Sequence, residues 1–160
     1  METSPSEPAD AVAVRPATPA DAAAIVDFQL RLARESEGLA LAPEVVAAGV
    51  GGVFAEPARG RYWVAESDGR LVGCLLTTFE WSDWRAGTVV WVQSVYVVPE
   101  ARRRGVYRRL YERLRREVEA TPDLKGIRLY VDKTNAPAQR AYERLGMTRE
   151  HYDLYEWLKD

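Results

Sequence analysis

The chain has 160 residues, 47% hydrophobic and 29% charged, and a formal net charge of −2 at pH 7. These values predict one soluble globular domain and argue against the nucleic-acid or membrane partner that a strongly basic chain would favour. Cys74 is the single cysteine and His151 the single histidine, so no intrachain disulfide can form and we expect no metal site. The sequence shows no signal peptide and no apolar run of about 20 residues, so we expect a cytoplasmic protein without a membrane span.

The first third is predicted to hold a disordered tail, a short strand and two helices. Residues 1–10 are rich in proline, serine and acidic side chains, which is typical of disorder. Residues 11–15 alternate weakly, like a strand. Residues 18–39 begin with Thr-Pro and continue with apolar residues at helical spacing, and Gly38 suggests a break. Residues 43–54 predict a second, shorter helix.

The middle of the chain is predicted to form three strands. Residues 62–65 and 71–79 flank Asp68-Gly69, a pair typical of a hairpin turn in which both central residues have positive φ. Residues 80–87 are polar and aromatic and predict the next connection. Residues 88–98 predict a long apolar strand that ends before a proline.

The last third is predicted to contain two helices and further strands. Residues 105–119 repeat apolar side chains every four positions, and residues 127–131 follow as a strand. Asn135 is placed to cap a further helix that Gly146 ends. Residues 148–157 predict one or two strands. The expected fold class is α/β, a mixed sheet with helices on both faces, formed by a single domain over residues 11–160.

The boundary between the long strand and the following helix is the most informative segment. Arg102, Arg103 and Arg104 precede Gly105 at the start of a helix. The first N–H groups of a helix lack partners, the helix dipole is positive there, and glycine allows close approach of a ligand. This arrangement predicts a site for a phosphate or pyrophosphate.

Gln93-Ser94 interrupts an otherwise apolar strand. Two consecutive polar residues break both the alternation and the apolar run. A β-bulge or a splayed strand end would explain them, and either would free backbone groups for another partner.

Two motifs resemble those of the GNAT superfamily of N-acetyltransferases. Arg102-x-x-Gly105-Val106-x is similar to the family's acetyl-CoA motif, Q/R-x-x-G-x-G/A, after a strand and a proline. Residues 135–147 are similar to its second motif, N-x-x-A-x-x-x-Y-x-K-x-G-F. Tyr107 departs from the usual Gly or Ala, and Met147 replaces a common Phe. The resemblance covers residues 12–157 and implies a GNAT-type fold with a central, mixed, mostly antiparallel sheet.

The resemblance implies acetyl-CoA as donor and assigns roles to individual residues. The pantetheine arm would pair with the strand at Val95 and Val97, and the pyrophosphate would lie on amides of residues 103–108. Tyr142 would protonate the leaving thiolate. The implied cofactor-binding residues are Val95, Tyr96, Val97, Arg102, Arg103, Arg104, Gly105, Val106, Tyr107, Arg108, Asn135 and Tyr142.

The acceptor side is less well defined by the sequence. An alkyl amine with a pKa of about 10.4 is mostly protonated at neutral pH, so a proton acceptor is needed, and Glu80 is the candidate. Glu35, Trp84 and Gln93 are candidate acceptor-binding residues, and Trp81 beside Glu80 could join an aromatic, acidic pocket for a cation.

Ordinary structural roles remain open for the same residues. The arginines could be a solvated helix face, Tyr142 could be a core residue, Asn135 could act only as a helix cap, and Cys74 is expected to be a buried, inert thiol.

These observations predict transfer of an acetyl group from acetyl-CoA by direct attack of a primary amine on the thioester. We expect the amine to belong to a small molecule rather than a protein. We expect no metal, nucleic acid or membrane to take part. One alternative is a non-catalytic acyl-CoA sensor in which Tyr107 blocks chemistry. The other is a nucleic-acid-binding module that uses the arginine-rich helix. A homodimer is left open.

Overall fold

The structure is a computed structural model that describes residues 12–159. The tail predicted at residues 1–10 lies outside the described residues. Two compact units are present, divided between Leu129 and Tyr130, and the predicted single domain stays a prediction. The first unit contains β1 Ala13–Pro16, α1 Ala22–Glu37, α2 Pro43–Ala55, β2 Arg61–Ser67, β3 Arg70–Ser82, β4 Gly87–Val97, α3 Val106–Ala120 and β5 Leu124–Leu129, with 3-10 turns at Pro19–Asp21 and Pro99–Ala101. The second contains α4 Ala136–Arg144.

The first unit is built on a five-stranded sheet in the order β1-β2-β3-β4-β5. The pairs from β1 to β4 are antiparallel, and β5 runs parallel to β4 because α3 carries the chain back across the sheet. The predicted hairpin turn is confirmed: Asp68 has φ 51° and Gly69 has φ 69°. The mixed, mostly antiparallel sheet predicted from the sequence is therefore confirmed.

Helices cover both faces of this sheet, as two consecutive residues of β3 show. A Cβ on Gly73 would meet a methyl group of Val106 in α3 at 3.3 Å. Cys74, on the opposite face, lies 3.7 Å from the side-chain amide of Gln29 in α1. On that same face Phe54 of α2 packs against Tyr62 of β2, with ring centroids 5.8 Å apart. Thus α1 and α2 cover one face and α3 covers the other.

The core lies between the sheet and these helices. Its largest fully buried side chains include Trp63, Ile25, Leu75 and Leu110. The helix α3 buries Val106, Leu110, Tyr111 and Leu114, which recur at helical spacing. Each leucine so buried contributes roughly 1.5–3 kcal/mol relative to exposure, which fixes α3 on the sheet despite its many charges.

The predicted irregularity at Gln93-Ser94 is a bulge in β4. Leu76 of β3 pairs with Ser94 and Thr77 pairs with Val92, so Gln93 is the extra residue. The ladder between β4 and β5 ends at Val92, whereas β4 itself continues to Val97. The parallel ladder therefore ends beside the bulge, where Val92 pairs with Leu129, the last residue of β5.

The second unit starts at Tyr130 and is described by itself. Asn135 caps α4, since its side-chain oxygen accepts the N–H of Ala138 at 3.1 Å, and Gly146 follows the helix with φ 84°. The prediction of strands at residues 148–157 is wrong: residues 148–159 hold no strand and are exposed. Aromatic and β-branched residues favour a pleated surface, but a strand also needs a hydrogen-bonding partner, which local sequence does not provide.

None of the helices within residues 12–159 combines the length and apolar character that crossing a bilayer requires.

Candidate functional site

The N-terminus of α3 has the geometry expected of an anion site. Gly105 is the N-cap with φ 76°, a left-handed conformation that glycine adopts without strain. A Cβ built on Gly105 would meet nothing within 4 Å, so the backbone is open to approach. Arg102, Arg103 and Arg104 precede it and are exposed. An anionic group fits this combination of a helix N-terminus, an open backbone and positive charge.

The side chain of Arg102 points to α1 and forms an ion pair with Glu35. The hydroxyl of Tyr96 donates to the same carboxylate at 2.8 Å, and Nε of Arg102 donates to the carbonyl of Val97 at 2.9 Å. The hydrogen bond from Arg102, and then that from Tyr96, lowers the pKa of Glu35. Three residues predicted separately for donor and acceptor binding thus meet where the end of α1 contacts the end of β4.

The C-terminal half of β4 is paired on one side by β3. Val95, Tyr96 and Val97 lie opposite Leu75, Cys74 and Gly73 respectively, whereas the described ladder to β5 has already ended at Val92. The backbone of Val95 and Val97 in this segment is the part predicted to pair with the pantetheine arm.

Glu80 belongs to a polar cluster that spans three strands. Trp91 on β4 donates its indole N–H to Glu80 at 2.6 Å, and Arg128 on β5 forms an ion pair with the other carboxylate oxygen at 2.9 Å. On the same face, Gln93 donates to the hydroxyl of Thr78 at 2.7 Å. We refer to Glu80, Trp91 and Arg128 as the Glu80 cluster.

Sequence reasoning identified Glu80 and Gln93 but missed Trp91 and Arg128. Alternation along β4 places Trp91 on the face opposite the buried Val90 and Val92. That pattern was readable from the sequence. The partner on β5 was not, because only the parallel register places Arg128 beside Trp91.

The remaining first-unit residues predicted for the site occupy less enclosed positions. Trp84 lies in the turn between β3 and β4 and is 91% exposed. Trp81 points to the opposite face from Glu80, its neighbour in β3. Tyr107 is half-buried, and its ring stacks on Tyr111 at a centroid distance of 6.5 Å.

Asn135 and Tyr142 lie in the second unit. Asn135 is exposed and caps α4, which was the ordinary role considered for it. Tyr142 is half-buried within α4. Their roles toward the donor stay predictions.

A family model described as Acetyltransferase (GNAT) family matches residues 28–147, most of the chain. The chain belongs to the GNAT acetyltransferase family. This membership confirms the resemblance carried by the two motifs.

Two further comparisons agree with GNAT membership. The chain is 35% identical to a solved structure described as a possible acetyltransferase from Clostridium difficile 630, with a TM-score of 0.87, covering 93% of this chain and 98% of the other. It is also 36% identical over 96 residues to a mycothiol acetyltransferase of Thermomonospora curvata. That match covers 58% of this chain but only 29% of the relative's length.

More distant GNAT structures share only the fold. An aminoglycoside N-acetyltransferase in complex with CoA is 14% identical, with a TM-score of 0.78 over 99% of this chain and all of the other. This similarity further supports the fold class predicted from the sequence.

Proposed function

We propose that this GNAT protein transfers an acetyl group from acetyl-CoA to a primary amine of a small molecule. The observation that carries the proposal is the end of the β4–β5 ladder at Val92, beside the bulge residue Gln93, followed by the open, left-handed Gly105 at the start of α3. A strand edge and an anion site in succession suit a donor that has an amide-containing arm and a pyrophosphate.

The reaction forms a C–N bond and breaks the C–S bond of the thioester. An ammonium substrate loses two protons, one before attack and one from the tetrahedral adduct. One proton goes to the leaving thiolate and the other to solvent. Acetyl-CoA supplies the activated acetyl group. Glu80, half-buried at the sheet surface, is proposed to accept the proton of the amine, directly or through water. Tyr142 is proposed to donate the proton to sulfur, and a backbone N–H near Val95 to polarise the carbonyl.

The charges of α3 favour this proposal over nucleic-acid binding. Three of its arginines form ion pairs one turn along the same helix: Arg108 with Glu112 at 2.7 Å, Arg113 with Glu117 at 3.1 Å and Arg115 with Glu119 at 2.9 Å. A helix that tracks phosphates needs arginines without such nearby carboxylates, because each salt-sensitive contact depends on net positive charge.

Calorimetric titration with acetyl-CoA, CoA and dephospho-CoA tests the donor site. We expect one site per chain in wild type and at least a tenfold weaker CoA affinity in Gly105→Ala, equivalent to about 1.4 kcal/mol. The added Cβ would lie at the open backbone, and the left-handed conformation would become strained.

Gly69→Ala is the matched control, since Gly69 also has a positive φ, 69°, and open space around it, but lies in the β2–β3 turn. Both variants should lose similar stability, and only Gly105→Ala should lose CoA affinity. Equal CoA affinity in both variants would refute the placement of the donor. An amine screen with wild type then tests turnover.

A further inference from the structure

The Glu80 cluster offers two opposite charges side by side on an exposed part of the sheet. Glu80 and Arg128 are each 41% exposed, so a ligand can reach both. Their strands, β3 and β5, flank β4, and Trp91 on β4 lies between them. The guanidinium of Arg128 lies 5.9 Å from the centroid of the Trp91 ring, which holds it over an aromatic surface.

The cluster lies on the sheet face that α1 and α2 cover further along. Cys74, Thr78 and Glu80 alternate with residues of the opposite face along β3, and Cys74 contacts α1. The bulge residue Gln93 bonds to Thr78, two residues before Glu80. The cluster is therefore adjacent, on the same face, to the bulge in β4.

The carboxylate of Glu80 and the guanidinium of Arg128 do not use all of each other's hydrogen-bonding capacity. One oxygen of Glu80 accepts from Trp91 and the other from a single nitrogen of Arg128. A guanidinium has five N–H donors in a planar fork that suits a carboxylate. An exposed ion pair contributes only about 0–1 kcal/mol, so a ligand that offers both counter-charges can open it at little cost.

We propose that the acceptor carries an anionic group, of carboxylate type, close to its amine. The amine would bind Glu80 and the anionic group would bind Arg128, replacing the internal ion pair by two external ones. Moving Arg128 onto the ligand also frees the Glu80 oxygen for the amine proton. A diamine would instead place its second cation against Arg128 and be disfavoured. This inference rests on the proposed acetyl transfer and specifies its substrate class.

The test compares amines that differ only in the carboxylate. Phenylalanine is paired with phenethylamine, leucine with isopentylamine, and putrescine serves as the diamine. Acetylation with acetyl-CoA is followed by product mass and CoA release. We expect kcat/KM at least tenfold higher for each amino acid than for its decarboxylated partner, with putrescine no better than the monoamines.

Arg128→Gln should abolish this preference: the ratio of kcat/KM between each amino acid and its decarboxylated partner should fall from at least ten to about one. Arg128→Lys should keep part of the preference for amino acids because a positive charge remains at this position. Arg61→Gln is the matched control: Arg61 also lies over a tryptophan, 5.6 Å from the Trp63 ring, and pairs with Glu117, but Trp63 belongs to the α3 face. It should keep the full preference.

The outcomes separate this inference from the proposed function. Turnover of monoamines or putrescine equal to that of the amino acids, or a preference that survives in Arg128→Gln, overturns the inference and leaves acetyl transfer standing. Acetylation of none of these amines by a protein that binds CoA overturns both.

Discussion

At the scale of single residues, the surroundings of Glu80 come from side chains distant in sequence. Its hydrogen-bond partner Trp91 is 11 positions away and its ionic partner Arg128 is 48 positions away. The sequence indicated a carboxylate near the end of a strand as a proton acceptor. The sheet adds a neighbouring indole N–H and a neighbouring positive charge, on which the proposed preference for amines that carry a carboxylate depends.

Cys74 is a residue whose chemical behaviour follows from burial. It is fully buried in β3, and burial raises the pKa of its thiol to about 12. Because the thiolate is the reactive form, we expect native protein to react with a thiol reagent at pH 8 far more slowly than urea-unfolded protein. The measurement is the rate of modification by an aromatic disulfide reagent. Rapid reaction of folded protein would contradict the inert role predicted from the sequence.

At the scale of elements, an ion pair stabilises the turn that precedes α1, and its contribution to the free energy of unfolding depends on pH. Both guanidinium Nη atoms of Arg15 contact Asp21, at 2.8 and 3.0 Å, and Asp21 also accepts the N–H of Thr18 at 2.8 Å. The bond from Arg15 is the main cause that lowers the pKa of Asp21. This contact joins β1 to the start of α1.

Because its folded pKa is depressed, Asp21 contributes stability that is fully present above the ordinary carboxyl pKa of about 3.9. This stability is lost as pH falls through the lowered folded value. We expect Asp21→Asn to reduce the free energy of unfolding by about 1–2 kcal/mol at pH 7, with the difference from wild type shrinking toward pH 3.

Urea unfolding across this pH range measures the effect of Asp21→Asn. Asp27→Asn is the control, since the carboxylate of Asp27 is 54% exposed and pairs with Arg31 within one turn of α1. It should change stability by less than about 0.5 kcal/mol. A loss in Asp21→Asn no larger than in Asp27→Asn would show that the Arg15 contact adds nothing.

Most helices and strands were predictable because local pattern decides them. The repeated apolar residues of α3 and the Asp68-Gly69 turn are local patterns with which the structure agrees. The polar pair at Gln93 predicted either a bulge or a splayed strand end, and the structure has the bulge. The prediction of strands at residues 148–157 was wrong because a strand depends on a neighbouring strand that its own residues cannot specify.

At the scale of the whole molecule, donor binding should appear as stability. A ligand that binds only the folded state stabilises it by about 2.7 kcal/mol when present at a hundredfold excess over Kd. For a chain of this size that raises Tm by roughly 5–10 °C. Thermal unfolding with and without CoA measures the shift, and Gly105→Ala at the same CoA concentration should show a clearly smaller one. An unchanged wild-type Tm would argue against CoA binding.

The sequence by itself determined the fold class, the donor motif, an irregularity at Gln93-Ser94 and the family, because each depends on patterns of residues close together in the chain. Tertiary structure decided that Glu35 meets Arg102 and Tyr96, and that Arg128 lies over Trp91 beside Glu80. Those contacts depend on which strands are neighbours, in which register, and on which face α1 packs. Sheet order and register are set by packing of the whole core, so the acceptor side, unlike the donor motif, could not be read from a single segment.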